Sequence, residues 1–502
     1  MKLNHLKFNR VDFSYSPTED NLLNSLEMHF APGWTGIIGP NGIGKSTIAK
    51  LATGFLSPTK GQITGLTPTN AFYCTQENDQ IPDDAEEFLY CADSKSGELC
   101  SLLKIENNWL DIWDHLSYGE KKRLQVGIAL WKEHDILVLD EPTNHLDLFA
   151  KNLLLHSLKY HKGIGILISH DRDFLNALCS ACIFMKTGSV SYRIGNYDSA
   201  IIQEELEETR KAKDYDIKRK KYKTASENTK QLAEKMNKHK DHLSKRHIDK
   251  HDHDKKAKID LARISGKDKI GARKLKQLQL KTERIKLETD RYYFQKQKIG
   301  GFQFQGEKLL RDTILLAPAQ TFFLNTNRSL NLPDLILTPD DKIGITGDNG
   351  AGKTSLVLKL YKQLSLSHHQ ILYIPQETHS QDWNQVESKI QLLSSKKRGE
   401  LFSIVDRLGS DPNRIFHSHS PSSGEKRKLM FGLGLLENPS IIIMDEPTNH
   451  LDLPSIHCLE KALNEFEGCL LVVSHDSSFV QNTTKTRWHI EMTDGISELV
   501  QR

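Results

Sequence analysis

Residues 39–46 read Gly39-Pro40-Asn41-Gly42-Ile43-Gly44-Lys45-Ser46, and residues 347–354 read Gly347-Asp348-Asn349-Gly350-Ala351-Gly352-Lys353-Thr354. Each string follows a short apolar run, Thr35 to Ile38 in one case and Lys342 to Thr346 in the other. A strand that feeds a glycine loop and then a helix is a phosphate-binding arrangement. The glycines let backbone N–H groups approach phosphate oxygens, and the helix offers its positive end. Two further motifs keep step with the loops. Glu141-Pro142-Thr143-Asn144-His145-Leu146-Asp147 recurs unchanged from Glu446 to Asp452, and Ser169-His170-Asp171 recurs as Ser474-His475-Asp476. The offset is 308 residues for the lysines and 305 for the glutamates and histidines. Three motifs at a near-constant offset mean a duplicated domain.

Each copy alternates β-rich runs with helical stretches, so the fold class is α/β, with two P-loop ATPase domains. Ile136 to Leu139 and Ile441 to Met444 read as buried strands that end at carboxylate pairs. Ile164 to Ile168 and Leu470 to Val473 read as buried strands that end at Ser-His-Asp. The motifs then fall at the C-terminal ends of strands, where open α/β sheets bind ligands.

These residue types suit ATP hydrolysis. Gly39, Asn41, Gly42, Gly44 and Thr47, with Gly347, Asn349, Gly350, Gly352 and Ser355, build the two loops. Lys45 and Lys353 reach the β- and γ-phosphates, while the hydroxyls of Ser46 and Thr354 serve Mg²⁺. Asp140 and Asp445 hold Mg²⁺ directly or through water. Glu141 and Glu446 position or deprotonate the attacking water, and His170 and His475 contact the γ-phosphate. Gln76 and Gln376 follow short apolar runs and suit a sensor of the γ-phosphate. Tyr15 reads as an adenine platform or a core tyrosine, with no clear equivalent in the second half. Leu116-Ser117-Tyr118-Gly119-Glu120 and Pro421-Ser422-Ser423-Gly424-Glu425 each precede a helix and form further anion sites. Each half holds two phosphate-binding elements, more than one ATP needs in cis.

The middle of the chain is different. Residues 201–298 carry 30 Lys+Arg and 17 Asp+Glu, a balance of +13 inside a chain whose net charge is +3. The segment contains no proline. Sparse apolar positions, Leu232, Met236 and Leu243, then Leu275, Leu278 and Ile285, are spaced for helices, and the expectation is two long helices joined near residues 240–272. The histidines His239, His242, His247, His251 and His253 lack a fixed helical spacing and read as solvated or RNA-facing rather than metal-binding. A strongly basic segment between acidic halves points to a polyanionic partner. The seven cysteines are scattered, so no disulfide framework is expected. No apolar run approaches the length of a spanning helix and no signal peptide opens the chain, so the expected location is cytoplasmic.

Together these motifs resemble the ATP-binding cassette superfamily. The loops resemble Walker A, the carboxylate pairs Walker B, and Ser117/Gly119 and Ser422/Gly424 the signature motifs. The resemblance implies two cassettes facing head to tail, with each ATP between one Walker A and the opposite signature. The doubled Glu-Pro-Thr-Asn-His-Leu-Asp string, with a charged helical linker, looks like the ABC-F class. That class implies ATP and Mg²⁺ as cofactors and a ribosome partner, with rRNA and tRNA near the exit site met through the linker.

The expected layout is a first ATP-binding domain over 1–198, a basic helical hairpin over 199–298 and a second ATP-binding domain over 299–502. Tyr118 stands where the signature usually has Gly, which bears on the strength of one ATP sandwich, and Pro421 where it usually has Leu. Gln76 and Ser117 lie 41 residues apart, against 46 for Gln376 and Ser422, and 27 residues follow His475. That spacing resembles members without the arm insertion or the C-terminal extension, which protect ribosomes from antibiotics. Two other classes compete: the ATPase component of a drug-efflux transporter with a separate membrane subunit, and a DNA-maintenance ATPase. The basic linker disfavours the former; the lack of zinc cysteines and long coiled coils disfavours the latter.

Overall fold

The computed structural model describes residues 5–501, apart from 17–20, 66–69, 77–79, 92, 145, 187, 243–266, 292–311, 326–327, 367–369, 377–379, 411, 413–414, 416–420 and 494–495. The chain divides into two compact units. One comprises Met1–Ile201 with Lys298–Arg502, and the other Ile202–Gln297.

The first unit contains the repeated domain twice. In the first copy six strands run in the order Ala71–Cys74, Ile136–Asp140, Ile164–Ile168, Gly33–Ile38, Ala181–Lys186 and Ser189–Ile194. The second copy repeats that order with Ile371–Ile374, Ile441–Asp445, Cys469–Val473, Lys342–Gly347, Thr486–Thr493 and Ile496–Gln501. It then adds Arg328–Leu332 and Gln320–Asn325 at the edge. The strands that carry motifs pair in parallel, with Asp140 opposite Ile168 and Asp445 opposite Val473. Parallel strands covered on both faces must be apolar along their whole length. Ile136–Asp140, Ile164–Ile168, Ile441–Asp445 and Cys469–Val473 are buried at every position. A shared register is what brings the three motif-bearing strand ends of each copy to one edge.

The last residue of each acidic motif has a local structural task. Asp147, Asp171, Asp452 and Asp476 each cap a helix, accepting from Ala150 N at 2.8 Å, Phe174 N at 2.9 Å, Ser455 N at 2.9 Å and Phe479 N at 2.8 Å. Each cap satisfies an orphan N–H and fixes where the chain leaves the strand.

The two copies are packed against each other. The largest core cluster holds side chains of both, among them Leu146 and Phe174 from the first and Leu451 and Phe479 from the second. Beside it Arg172 Nη1 lies 2.9 Å from a carboxylate oxygen of Glu460, with both side chains under a tenth exposed. Two other guanidinium nitrogens of Arg172 have no hydrogen-bond partner.

In the second unit the helix Tyr197–His242 and the helix Lys267–Arg291 form the two arms expected from the linker sequence. Thr229 Oγ1 and Thr282 Oγ1 meet at 3.0 Å and join them. Leu275, Leu278 and Ile285 are half-buried along one face. Most of the expected 240–272 tip, with His247, His251 and His253, lies outside the described residues.

Glu460→Ala would leave Arg172 buried and uncompensated, which costs about 3–5 kcal/mol. The urea midpoint of the variant should fall accordingly. An unchanged midpoint would show that the pair does not join the cassettes.

Candidate active site

Both phosphate loops end in a glycine that only a residue without Cβ adopts easily. Gly44 has φ 103° and Gly352 φ 101°, and neither helix that follows receives a side-chain cap. The N-termini of Lys45–Ala52 and Lys353–Ser365 are therefore left open to an anion. Each lysine folds back over its own loop. Lys45 Nζ donates to Gly39 O at 2.7 Å, Pro40 O at 3.2 Å and Asn41 Oδ1 at 3.3 Å, and Lys353 Nζ donates to Gly347 O at 2.8 Å and Asp348 O at 2.9 Å. Both ammonium groups are buried, and burial lowers both from the usual lysine range.

The carboxylates face them. Glu141 and Glu446 adopt left-handed backbone, φ 47° and 48°, uncommon for a residue with a side chain. Each N–H is spent on the neighbouring strand, Glu141 N on Ile168 O and Glu446 N on Val473 O, both at 2.8 Å. The same strained turn at both copies aims each glutamate at the histidine on the next strand, a placement associated with functional sites. Glu141 Oε2 accepts from His170 N at 3.3 Å, and Glu446 Oε2 from His475 N at 3.3 Å. The imidazoles span glutamate and loop. His170 Nε2 is 3.2 Å from Glu141 Oε1 and 3.2 Å from Asn41 Oδ1. His475 Nε2 is 3.7 Å from Glu446 Oε1 and 3.0 Å from Asn349 Oδ1.

Burial dominates the titration of these groups. It pushes the Glu141 carboxyl up to about 8, against the opposing charge of Lys45, and the Glu446 carboxyl up to about 7, against Lys353. It lowers His170 and His475 to about 3, helped by the nearby lysines. The aspartates differ. Asp140 Oδ2 accepts from Tyr73 OH at 2.8 Å. Neither oxygen of Asp445 receives a hydrogen bond of normal geometry, and the Thr354 hydroxyl stands beside it. A buried carboxylate with open lone pairs next to a hydroxyl is the oxygen donor set a divalent cation takes, so these residues fit Mg²⁺.

One cavity of about 880 Å³ joins the two loops. Its walls include Asn41, Gly42, Gly44, Lys45, Ser46, Thr47, Gln76, Asp140, Glu141 and His170 from the first copy. The second copy contributes Asn349, Gly350, Gly352, Lys353, Thr354, Ser355, Gln376, Asp445, Glu446 and His475, together with Ser422 and Gly424. Gly39 and Gly347 act through their carbonyls, which hold the lysines. The first loop is met by the second copy: Asn41 N donates to Asp452 Oδ2 at 3.0 Å, and Asn41 Nδ2 to His450 O at 3.1 Å.

Ser117 and Gly119 are not among the residues that line this cavity. Both signature serines sit in a reciprocal cap with the glutamate three residues on, Ser117 with Glu120 and Ser422 with Glu425. Tyr118 OH donates to Gln76 O and ties the first signature helix to its own copy.

Several functional positions carry no motif. Tyr15 OH meets Thr47 Oγ1 at 2.9 Å beside the first loop. The second loop has Arg328 in a comparable place, its guanidinium 3.0 Å from where a Cβ on Gly350 would sit. Arg427, buried on the second signature helix, donates to Glu446 O at 2.6 Å, Asn449 O at 3.2 Å and also Gln376 O, joining three loops of one site. Its counterpart Lys122 reaches Thr75 O at 2.6 Å. Of these, Tyr15 was singled out by the sequence; for Arg328, Arg427 and Lys122 the sequence pattern offered no signal beyond their nearness to motifs.

A carboxyl whose folded pKa is raised holds its proton when the unfolded chain has already lost it. Folding stability from Glu141 and Glu446 therefore falls as pH rises from about 4.5 through about 7–8. Replacing both with glutamine removes that loss. Without nucleotide, the double variant should gain in melting temperature over the parent at pH 8 relative to pH 5. A pH-independent difference would show that the two carboxyls titrate normally.

A family model described as ABC transporter matches residues 23–144 and again 330–449. The Ribosome protection protein VmlR of Bacillus subtilis (strain 168) is 29% identical over 476 residues, covering 90% of this chain and 80% of its own length. The Probable ATP-binding protein YheS of Escherichia coli (strain K12) is 27% identical over 521 residues, covering 92% and 75%. The archaeal ribosome recycling factor aABCE1, solved with the ribosomal stalk protein aP1, superposes with a TM-score of 0.60 at 18% identity, over 98% of this chain and 89% of that one. That likeness speaks to the fold. With an ABC transporter domain matched twice and a site built twice from the same motifs, the chain carries two ATP-hydrolysing ATP-binding-cassette domains and is similar to ABC-F-type proteins.

Proposed function

We propose that this protein is an ATP-gated ribosome-binding factor. The observation that carries the reading is the match to a ribosome protection protein along 90% of the chain. The basic helix pair between the cassettes supports it. A +13 balance over 98 residues suits an RNA surface, with each cation adding affinity and salt dependence rather than sequence preference. Among the described residues no helix is long and apolar enough to cross a membrane. No observation favours the efflux-ATPase alternative.

The mechanism follows from the site. The two glycine loops and Lys45 and Lys353 cradle the phosphates. Asp140 and Asp445, with Ser46 and Thr354, would hold Mg²⁺, which when bound would neutralise charge on the phosphate oxygens. Glu141 and Glu446 take the proton of the attacking water, and His170 and His475 fix their orientation. Gln76 and Gln376 report the γ-phosphate. Ser422 and Gly424 close over the first loop, and Ser117 and Gly119 play that part for the second. ATP binding holds the cassettes together and sets the linker in a ribosome-competent pose; hydrolysis releases it. ATP can shift that equilibrium only by binding the closed state more tightly. The partner surface is rRNA and tRNA near the exit site, met by residues 199–298, in the cytoplasm. Domain limits at 198 and 298 separate hydrolysis from recognition.

The same reading extends to antibiotic resistance by ribosome protection. A tip of about 30 residues on stiff helices exceeds an ordinary helix–helix connection. It reaches the peptidyl-transferase centre from the exit site and displaces a drug indirectly, by moving the tRNA end or the nucleotides around it.

Two outcomes are expected. The double variant Glu141→Gln with Glu446→Gln should bind ATP, lose turnover and stay on ribosomes in co-sedimentation. Turnover near the parent rate would refute the roles given to these residues. Expression in a sensitive bacterium should raise tolerance to drugs acting at the peptidyl-transferase centre, and shortening residues 240–272 should erase it with ATPase activity retained. Unchanged tolerance to all such drugs, with ribosome binding intact, would replace resistance with a general translation role.

A further inference from the structure

One buried cation of the second cassette holds the backbone of three loops. Arg427 lies on the helix Ser423–Leu435 and is 5% exposed. Its Nη1 donates to Glu446 O at 2.6 Å and to Asn449 O at 3.2 Å. Its Nη2 donates to Gln376 O and, at 3.4 Å, to Pro375 O. A guanidinium can serve four carbonyls because its donors form a rigid planar fork. An ammonium is a compact point charge without that geometry.

Two of those carbonyls belong to working residues of the second ATP site. Glu446 sits in left-handed backbone, φ 48°, a conformation that persists only where its surroundings fix it. Its N–H is held by Val473 O at 2.8 Å and its C=O by Arg427. The carbonyl of Gln376, the residue read as the γ-phosphate sensor, is held by the other arm of the same fork. The same helix and loop also reach the first site. The loop that leaves Glu446 and passes Asn449 continues to His450 and Asp452. There Asn41 of the first phosphate loop donates to His450 O at 3.1 Å and to Asp452 Oδ2 at 3.0 Å. Gly424, at the start of the Arg427 helix, packs on that contact: a Cβ added to it would stand 2.5 Å from His450 O and 4.0 Å from Asn41 Nδ2.

The first cassette is built otherwise. Lys122 holds the equivalent position, five residues after the capping serine as Arg427 is. Its Nζ goes to Thr75 O at 2.6 Å and to Gln125 Oε1 at 3.2 Å, and Tyr118 takes Gln76 O. Among the described residues the Glu141 carbonyl accepts only from Asn144 N, within its own turn, at 3.5 Å. The signature helix therefore grips the glutamine loop in both copies, and the glutamate loop in the second.

We propose that Arg427 is a positioning residue that couples the two ATP sites, setting Glu446 and Gln376 at the second while holding the loop that lies against the first. The inference rests on the roles read for Glu446 and Gln376. A buried fork bonded to four carbonyls moves with them as one body, because releasing one carbonyl leaves a buried donor unpaired. Nucleotide that draws on Gln376 and Glu446 thus shifts Arg427 and, through Asn449, the backbone that His450 and Asp452 present to Asn41. Lysine at this position would keep the charge and lose the fork, so that exchange is not conservative here.

The test is rapid-quench measurement of first-turnover ADP formation by the full chain across ATP concentrations. Glu141→Gln isolates the second site and Glu446→Gln isolates the first. In the Glu141→Gln chain, Arg427→Lys should lower the maximal rate about tenfold with little change in half-saturating ATP, since a misplaced glutamate slows chemistry and leaves uniform binding intact. In the Glu446→Gln chain, Lys353→Met keeps nucleotide from the second site and should slow the first about tenfold, within the usual range for coupled sites. With Arg427→Lys present, adding Lys353→Met should make no further difference. Arg427→Met should match Arg427→Lys in both readings. A variant that merely folds less well lowers amplitudes and leaves the effect of Lys353→Met in place, and that result would overturn the inference. So would a first site indifferent to Lys353→Met in the parent, or rates restored by lysine. Hydrolysis persisting in Glu141→Gln with Glu446→Gln would overturn the glutamate reading instead.

Discussion

The catalytic half of this structure depends on taking carboxylates out of water. Asp140, Glu141, Asp445 and Glu446 end two fully buried strands and are each less than a tenth exposed. Removing charge from water is costly unless opposite charge or a ligand compensates. The fold supplies Lys45 and Lys353, each pulled over its own loop, and the remaining negative charge suits a divalent cation carried in with the nucleotide. Such a cluster of buried acids is an unfavourable arrangement held in place by its sheets. Protonation of the glutamates relieves part of the cost without ligand, as their raised pKa values record. Binding and catalysis draw on the same imbalance.

The legible part of this arrangement was local. Short continuous apolar runs such as Ile136–Leu139 suit buried strands, and a glycine loop or carboxylate pair directly after such a strand lies at its C-terminal end. The offset of about 305 residues then implied the whole second cassette. The linker helices were legible because 98 residues without proline and with sparse apolar spacing have few other options. Long-range pairing was not legible. Arg172 with Glu460, Asn41 with Asp452, and Arg427 over three carbonyls are contacts between segments far apart in sequence, and no spacing rule encodes them. The left-handed turn at Glu141 and Glu446 was also hidden, since nothing in Asp-Glu-Pro marks the φ value of the middle residue.

Duplication makes departures from symmetry informative. Tyr15 beside one loop and Arg328 beside the other, Tyr118 bonded to the backbone of Gln76, and Arg427 where the first copy has Lys122 all fall around the cavity. The sheets that carry these residues keep the same strand order in both copies. The motifs and the strand order have therefore been kept in both copies, while individual residues around the motifs have diverged.

The proposed role joins this chemistry to the basic helices, whose conformation on RNA depends on the closed state. The most direct test is the structure of a ribosome complex formed with ATP and the variant Glu141→Gln with Glu446→Gln. The account predicts nucleotide at both composite sites, Ser422 and Gly424 against the first and Ser117 and Gly119 against the second, with residues 199–298 on RNA and tRNA near the exit site. A complex in which the helices contact no RNA, or in which the double variant fails to bind ribosomes with ATP, would contradict it.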